Sequence, residues 1–263
     1  MSAHVFETMG TVASVRFPEG GVPAGTLAAV ERVFRDFDAR FSLYDEASEL
    51  SRLAAGELRL AAASDGVRGA YARAVDWRNR TAGAFTPHRP DGVVDLSGVV
   101  KALAIAEAGE LLDAESDTWL IAVGGDVLAR GRRGKAPWRI GIVDPAARDG
   151  LAGVAELDGS RRAVATSGTT ERGQHLWRRG AEAFVQVTVS ADGIELADVL
   201  ATAIAAGDED DLDRMTAEFD IDVLTFDVAG RARATPGAQP WLPRVDARGR
   251  ESSDRVDGGA DRS

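Results

Sequence analysis

The feature that most limits the fold is a succession of short apolar runs between residues 119 and 190. The runs are rich in Val, Ile, Ala and Trp, which is typical of strands joined by short connections. Helix-like stretches come before and after this block. The order of helices, then strands, then helix and strand again predicts an α+β fold rather than regular βαβ alternation. The strands of the block are predicted at 119–123, 138–143, 154–157, 162–166 and 183–190.

Apolar residues at helical spacing identify the helices. The stretch 24–41 is an example, because its Leu, Val and Phe residues recur every three or four positions. Ser64 is expected to cap the next helix, and Gly83 to lie past its end. The remaining helices are predicted at 97–113, 195–206 and 209–219, and further strands at 12–17, 92–96 and 221–226. The segment 244–263 has almost no apolar content, so we expect one domain at 1–243 and a disordered tail.

Composition limits the possible partners and chemistry. The net charge of −11 and the pI near 4.8 argue against a nucleic-acid surface or an anionic membrane surface. The chain has no cysteine, which excludes disulfides, thiolate zinc sites and a cysteine nucleophile. The N-terminal residues lack a signal-peptide pattern, and no stretch approaches the 18 apolar residues of a membrane span. We therefore expect a cytoplasmic protein.

Two aspartates occupy apolar settings where an unpaired carboxylate is costly to bury. Asp95 follows a strand-like run and precedes a helix, where it can bind a ligand or cap the helix. Asp198 and Thr202 are four residues apart on one predicted helix face, so they can share a Mg²⁺ ion. The alternatives are a first-turn Asp favoured by the helix dipole and a Thr bonded to its own helix. With only three histidines in the chain, oxygen ligands and a hard ion are favoured.

Three further stretches offer polar groups to a ligand. Gly124 and Gly125 follow a predicted strand, where they allow a ligand close to the backbone or form a plain turn. Residues 165–175 combine hydroxyl groups and backbone amides with a lone histidine, which is equally typical of a polar loop. Tyr44 can stack on a flat ring, although many such tyrosines belong to the core or its rim.

Eight segments occur in the order of one known family. They read ETMGTVASV, RFSLYDEASELSRL, TAGAFTP, VDLSGVVKALA, AVGGDVLARG, PWRIGIVDP, AVATSGTTERGQH and VTVSADGIELADVLATA. With these segments the chain resembles the ApbE family of FAD:protein FMN transferases, formerly called thiamine biosynthesis lipoproteins. The resemblance extends from Glu7 to about Ala203. It implies a two-lobed α+β fold with mixed or antiparallel sheets packed against helices.

The resemblance also implies a reaction and a site. Such enzymes bind FAD and Mg²⁺, transfer FMN through a phosphoester to a Ser or Thr of an acceptor flavoprotein, and release AMP. The partners are FAD and that acceptor, and the chain is expected to be a monomer or a homodimer. By resemblance, the catalytic residues are His175 and Asp198, and the metal ligands are Asp198, Thr202 and the carbonyl of Gly98. The implied FAD-binding residues are Met9, Tyr44, Ala84, Phe85, Asp95, Lys101, Gly124, Gly125, Asp126, Thr166, Ser167 and Gly168.

One departure from the family pattern leaves alternatives open. The family's Asp-Pro turn after the reactive histidine is replaced here by HLWRRGA at 175–181, where Arg178 and Arg179 can bind phosphate. The first alternative is an FAD pyrophosphatase, in which water replaces the acceptor and the products are FMN and AMP. The second is a protein that binds FAD without turnover.

Overall fold

The computed structural model describes residues 2–18, 21–168 and 183–243 of the 263-residue chain. Helices and strands alternate irregularly along these segments. The helices are α1 (Ala24–Phe41), α2 (Glu49–Ala54), α3 (Asp65–Arg80), α4 (Ser97–Asp113), α5 (Ile194–Ala206) and α6 (Glu209–Glu218). The strands are β1 (Ser2–Thr8), β2 (Thr11–Phe17), β3 (Trp119–Val123), β4 (Asp126–Arg130), β5 (Trp138–Val143), β6 (Leu151–Leu157), β7 (Ala163–Gly168), β8 (Phe184–Ala191), β9 (Asp222–Asp227) and β10 (Ala232–Ala234).

Eight of these strands form one antiparallel sheet. Its order is β1-β2-β3-β4-β7-β8-β9-β10, while β5 and β6 form a separate antiparallel pair. Strand β7 therefore pairs with β4, and the β5–β6 hairpin lies outside the main sheet. The mixture of helices with an antiparallel sheet confirms the predicted α+β class.

The helices cover the sheet and form most of the core with it. Helix α5 packs on β7 and β8, and α4 packs against α5 and α1. Helix α4 is buried over most of its surface, with Ser97, Glu107 and Glu110 exposed, which is why its apolar residues lack a clear helical period. In the described ranges, no helix has both the length and the apolar character needed to cross a membrane. Lys101 on α4 and Asp198 on α5 are both buried inside the molecule.

The predicted helices are largely confirmed, because apolar periodicity and caps agree in them. The helices at 24–41 and 97–113 have the predicted bounds. Ser64 caps α3, since its hydroxyl oxygen accepts the Val67 N–H at 3.3 Å. The strands of the central block also form, with ends shifted by up to three residues. The predicted tail at 244–263 lies outside the described residues.

One predicted strand is wrong, and several elements were not predicted. Residues 92–96 do not form a strand, and only Val94 forms an isolated bridge, to His88. The segment is a connection whose backbone is held instead by the Asp95 N–H, which donates to the Pro87 carbonyl at 2.9 Å. The predicted strand at 12–17 forms as β2, and it pairs with an unpredicted strand, β1, in a hairpin. The elements missing from the prediction are β1, α2, β4 and β10.

Candidate active site

Two tight hairpin turns lie side by side at one end of the large sheet. Met9 and Gly10 join β1 to β2 with φ angles of 47° and 70°, and Gly124 and Gly125 join β3 to β4 with φ angles of 54° and 92°. The Gly124 N–H donates to the Val12 carbonyl at 3.3 Å, which links the second turn to the start of β2. Two central residues with positive φ are typical of such hairpins. Residues 124 and 125 thus form a turn. Both are glycines, so no Cβ atom stands between their backbone and a ligand.

The first turn of α4 lies against the connection that precedes it. Asp95 is 6% exposed, and its Oδ1 accepts the N–H of Ser97, the first residue of α4, at 2.9 Å, although the N-cap position itself is Leu96. A Cβ atom on Gly98 would lie 2.8 Å from Cε2 of Phe85. The phenyl ring therefore occupies the space that a side chain at position 98 would need. Gly98 can contribute only its backbone to a ligand.

A buried ion cluster joins three elements behind these turns. The ammonium of Lys101 on α4 contacts Oδ2 of Asp126 at the start of β4, and it lies 3.7 Å from Oδ1 of Asp198 on α5. Lys101, Asp126 and Asp198 are 5%, 0% and 4% exposed. The Thr166 N–H also donates to Oδ1 of Asp126, at 3.3 Å. Burial of three charged groups in contact is costly and is common at functional sites.

The hydroxyl groups of β7 and α5 meet next to this cluster. Oγ of Ser167 lies 3.2 Å from Oγ1 of Thr202, and Oγ1 of Thr166 lies 3.0 Å from Oγ1 of Thr188. Thr202 therefore points across to the sheet. Asp198 is the fifth residue of α5, so it lies beyond the first turn, where a carboxylate interacts most favourably with the helix dipole. Both observations weigh against the alternative that Asp198 and Thr202 serve only to stabilise their own helix.

The other predicted flavin-binding residues differ in exposure. Tyr44 is 86% exposed, which excludes a place in the core. Met9 is partly buried and lines a hollow of about 510 Å³ together with residues 7–12 and Asp38. Ala84 and Phe85 are each 3% exposed, so they present little surface to a ligand.

The structure thus brings most of the predicted polar residues to one end of the sheet. A chain of contacts links Lys101, Asp126 and Asp198, and the hydroxyl contact between Ser167 and Thr202 lies beside it. Gly168 ends β7 at this place. His175, Arg178 and Arg179 lie outside the described residues. Thr188 was missed, because an alternating strand residue gives no sign that it bonds to Thr166.

The donor set is compatible with a hard divalent cation. Asp198 and Thr202 are one helical turn apart, and they present a carboxylate and a hydroxyl group. Such oxygen donors suit Mg²⁺, which keeps several waters and needs few protein ligands. Among the residues that the structure describes, no three His, Cys, Asp or Glu side chains form a metal-binding cluster. A cation here would therefore depend on hydroxyl, carbonyl and substrate oxygens beside the carboxylate.

The fold and site together define an α+β protein with a buried cluster of charged and polar side chains at one end of an antiparallel sheet. The family model described as "ApbE family" matches residues 9–90 and 88–225. The chain therefore belongs to the ApbE family. A search of curated proteins found no match.

Solved structures with the same fold include three from different bacteria. The flavin transferase ApbE of Vibrio cholerae has a TM-score of 0.71 at 21% identity, over 92% of this chain and 99% of that one. The ApbE protein of Thermotoga maritima has a TM-score of 0.74 at 18% identity, with coverages of 92% and 99%. The flavinyl transferase ApbE of Pseudomonas stutzeri, in its apo form, has a TM-score of 0.74 at 22% identity, with coverages of 92% and 96%. These similarities support the ApbE-like fold.

Proposed function

We propose that the chain is a Mg²⁺-dependent FAD:protein FMN transferase. It attaches FMN from FAD to a Ser or Thr of an acceptor flavoprotein and releases AMP. The observation that carries this proposal is the buried carboxylate of Asp198, which lies beside Lys101 and one turn from Thr202. Membership of the ApbE family and the names of two structural relatives, a flavin transferase and a flavinyl transferase, support the same activity.

The proposed reaction is a substitution at phosphorus. The acceptor hydroxyl oxygen attacks the phosphorus atom on the FMN side of the diphosphate and forms a new P–O bond. The P–O bond to the bridging oxygen breaks, and AMP leaves with that oxygen. The hydroxyl proton must pass to a base, and we assign this role to His175 on the family resemblance.

The proposed Mg²⁺ ligands are the side chains of Asp198 and Thr202 and the carbonyl oxygen of Gly98. When bound, the ion neutralises charge on the diphosphate and on the departing phosphate. Such help matters here because the chain carries a net charge of −11 and would repel an anionic substrate. Ser167 lies 3.2 Å from the Thr202 hydroxyl and can orient it.

The protein groups around the diphosphate would bind and orient FAD. The turn at Gly124 and Gly125 lets a phosphate or ribose approach the backbone, because neither residue has a Cβ atom. We assign to Tyr44 the stacking of a flat ring of FAD, since its side chain is 86% exposed. We assign to Asp95 the acceptance of a hydrogen bond from the dinucleotide.

The test of this proposal is an analysis of the products. The purified chain is incubated with FAD and Mg²⁺, with and without an acceptor domain that bears a Ser/Thr flavinylation motif. Chromatography then separates FAD, FMN, AMP and the acceptor. AMP formation with covalently bound FMN is the expected result. Free FMN and AMP in equal amounts would identify an FAD pyrophosphatase, and intact FAD would identify a binding protein. Either outcome would refute the transferase.

The single domain at 1–243, the cytoplasmic location and the monomeric or homodimeric state stay predictions from the sequence. Size-exclusion chromatography with light scattering measures the oligomeric state directly. A larger assembly would contradict that prediction without affecting the proposed chemistry.

A further inference from the structure

The two edges of the large sheet are built differently. Strand β1 forms one edge and β10 forms the other. Natural sheets protect their edges from pairing with other chains by short strands, prolines, bulges or charged side chains. Strand β10 has only three residues, whereas β1 has seven, contains no proline and pairs with β2 without a register shift. The β1 edge is therefore the less protected of the two and can accept a further strand.

The turn that follows β1 determines which of its backbone groups face outward. Residues 9 and 10 form a two-residue turn, so the flanking residues Thr8 and Thr11 are a hydrogen-bonded pair. Hydrogen-bonded and non-hydrogen-bonded pairs alternate along an antiparallel ladder. Every second residue of β1, counted back from position 7, therefore directs its N–H and C=O away from β2. These residues are Ala3, Val5 and Glu7.

The contacts of β2 on its other side agree with this assignment. Val12 lies opposite Glu7, and its carbonyl accepts the Gly124 N–H of the β3–β4 turn at 3.3 Å. Because the N–H and C=O of one strand residue point to the same side, the backbone groups of Val12 face away from Glu7. The N–H and C=O of Glu7 thus face outward, toward the place of a further strand.

The spacing of the three outward-facing residues matches a second copy of the same strand. In an antiparallel pair centred on Val5, this residue lies opposite Val5 of the second copy, and Ala3 lies opposite Glu7. Each pair then exchanges both of its N–H···O=C bonds, so the outward-facing groups of all three residues are used. A shift of two residues in either direction leaves one of the three without a partner in the other β1 strand. The pattern therefore selects one register, with a two-fold axis at Val5.

The exposed side chains complement each other in this register. Val5 is 61% exposed, and the axis brings its two copies into apolar contact. Arg16 lies beside Ala3 on β2, and both side chains are exposed. Glu7 of the second copy lies on the other side of Ala3, so opposite charges flank a small residue. One such charge pair on each side of the axis favours this register.

We propose that β1 is a dimerisation edge of this protein. A second copy of the chain pairs antiparallel with it, and the two large sheets become one continuous sheet with a two-fold axis at Val5. Such an interface is closed, since each copy contributes the same surface. Thr8 then lies opposite Ser2 of the second copy, so the interface borders the hairpin turn at residues 9 and 10 of the candidate site. The proposal does not depend on the chemistry proposed above.

The test is the oligomeric state of the full chain, measured by sedimentation equilibrium over a range of concentrations. Val5→Lys is compared with Val228→Lys as a matched control, because Val228 is 62% exposed and lies in the turn between β9 and β10, near the opposite edge. We expect the wild type and Val228→Lys to form dimers with the same Kd. In Val5→Lys two ammonium groups face each other across the axis, so we expect a Kd at least about tenfold larger.

Two results of this experiment overturn the proposal. One is a wild type that stays monomeric at every concentration. The other is a Val5→Lys variant that dimerises with the Kd of the wild type, which would place the contact elsewhere on the surface.

A cross-link tests the register, and it decides the question if Val5→Lys does not fold. The chain has no cysteine, so Val5→Cys and Val228→Cys each introduce a single thiol. Residues in a hydrogen-bonded antiparallel pair have Cα atoms about 5.5 Å apart, a distance that a disulfide can span. Oxidised glutathione is reduced as it converts two thiols into a disulfide. With it, we expect Val5→Cys to form a covalent dimer at least about tenfold faster than Val228→Cys, because pairing holds its two thiols together. Equal rates would refute the proposed pairing.

Discussion

Replacing Tyr44 by alanine should weaken FAD binding without weakening the fold. The Tyr44 side chain is 86% exposed, so its loss should change the free energy of unfolding by no more than about 0.5 kcal/mol. Stacking of a base on an aromatic ring is worth about 1–3 kcal/mol in nucleic-acid complexes. The same energy corresponds to an increase in the Kd for FAD of about 5- to 150-fold.

The assay is a fluorescence titration of FAD at fixed Mg²⁺, together with thermal unfolding of each variant. Tyr44→Phe is the matched control, because it keeps the ring and removes only the hydroxyl group. We expect the Phe variant to bind FAD nearly as well as the wild type. An unchanged Kd in Tyr44→Ala would show that Tyr44 does not stack on the flavin or the adenine. A large fall in Tm would show instead that the residue supports the fold.

Three other substitutions test separate parts of the structure. Asp198→Asn should lower Mg²⁺-dependent turnover at least about a hundredfold with little change in Tm, because Lys101 keeps a carboxylate partner; surviving turnover would refute the metal assignment. Gly98→Ala should lower the unfolding free energy measured in urea by about 1 kcal/mol, because crowding of the Phe85 ring exceeds the gain in helix propensity. An equal or higher stability would contradict this. The 2.7 Å hydrogen bond from His4 lowers the pKa of Glu31 below its ordinary 4.5. The bond therefore stabilises the folded state above pH 4.5, and this stabilisation is lost as the pH falls through the lowered pKa. In His4→Ala, an NMR titration should find that pKa closer to 4.5, and an unchanged value would argue against the bond.

Local patterns were sufficient to predict the long helices. Residues 24–41 repeat apolar side chains at helical spacing, and Ser64 is a strong cap, so local preference and final structure agree there. The strand prediction for 92–96 was wrong because it also relied on local preference, and the valines of this segment favour a strand. In the structure its backbone bonds to Pro87, and its Asp95 side chain accepts the N–H of Ser97 at the start of α4. These contacts with other parts of the chain, rather than local preference, determine the conformation of 92–96.

The arrangement of the site depended on contacts between distant residues. The order of the sheet places β7 beside β4, although β5 and β6 lie between them in the chain. This pairing brings Thr166 to Asp126, forty positions away. The sequence suggested Lys101 only through the family resemblance, and nothing in its apolar helix indicates that it faces two carboxylates. Strand order and side-chain direction supply that information.

The measurement that tests the central claim most directly is the intact mass of an acceptor domain after incubation with the chain, FAD and Mg²⁺. We predict a mass gain of one FMN less one water, with no gain when EDTA is present. An acceptor that stays unmodified while the chain binds FAD and Mg²⁺ would contradict the proposed transfer of FMN.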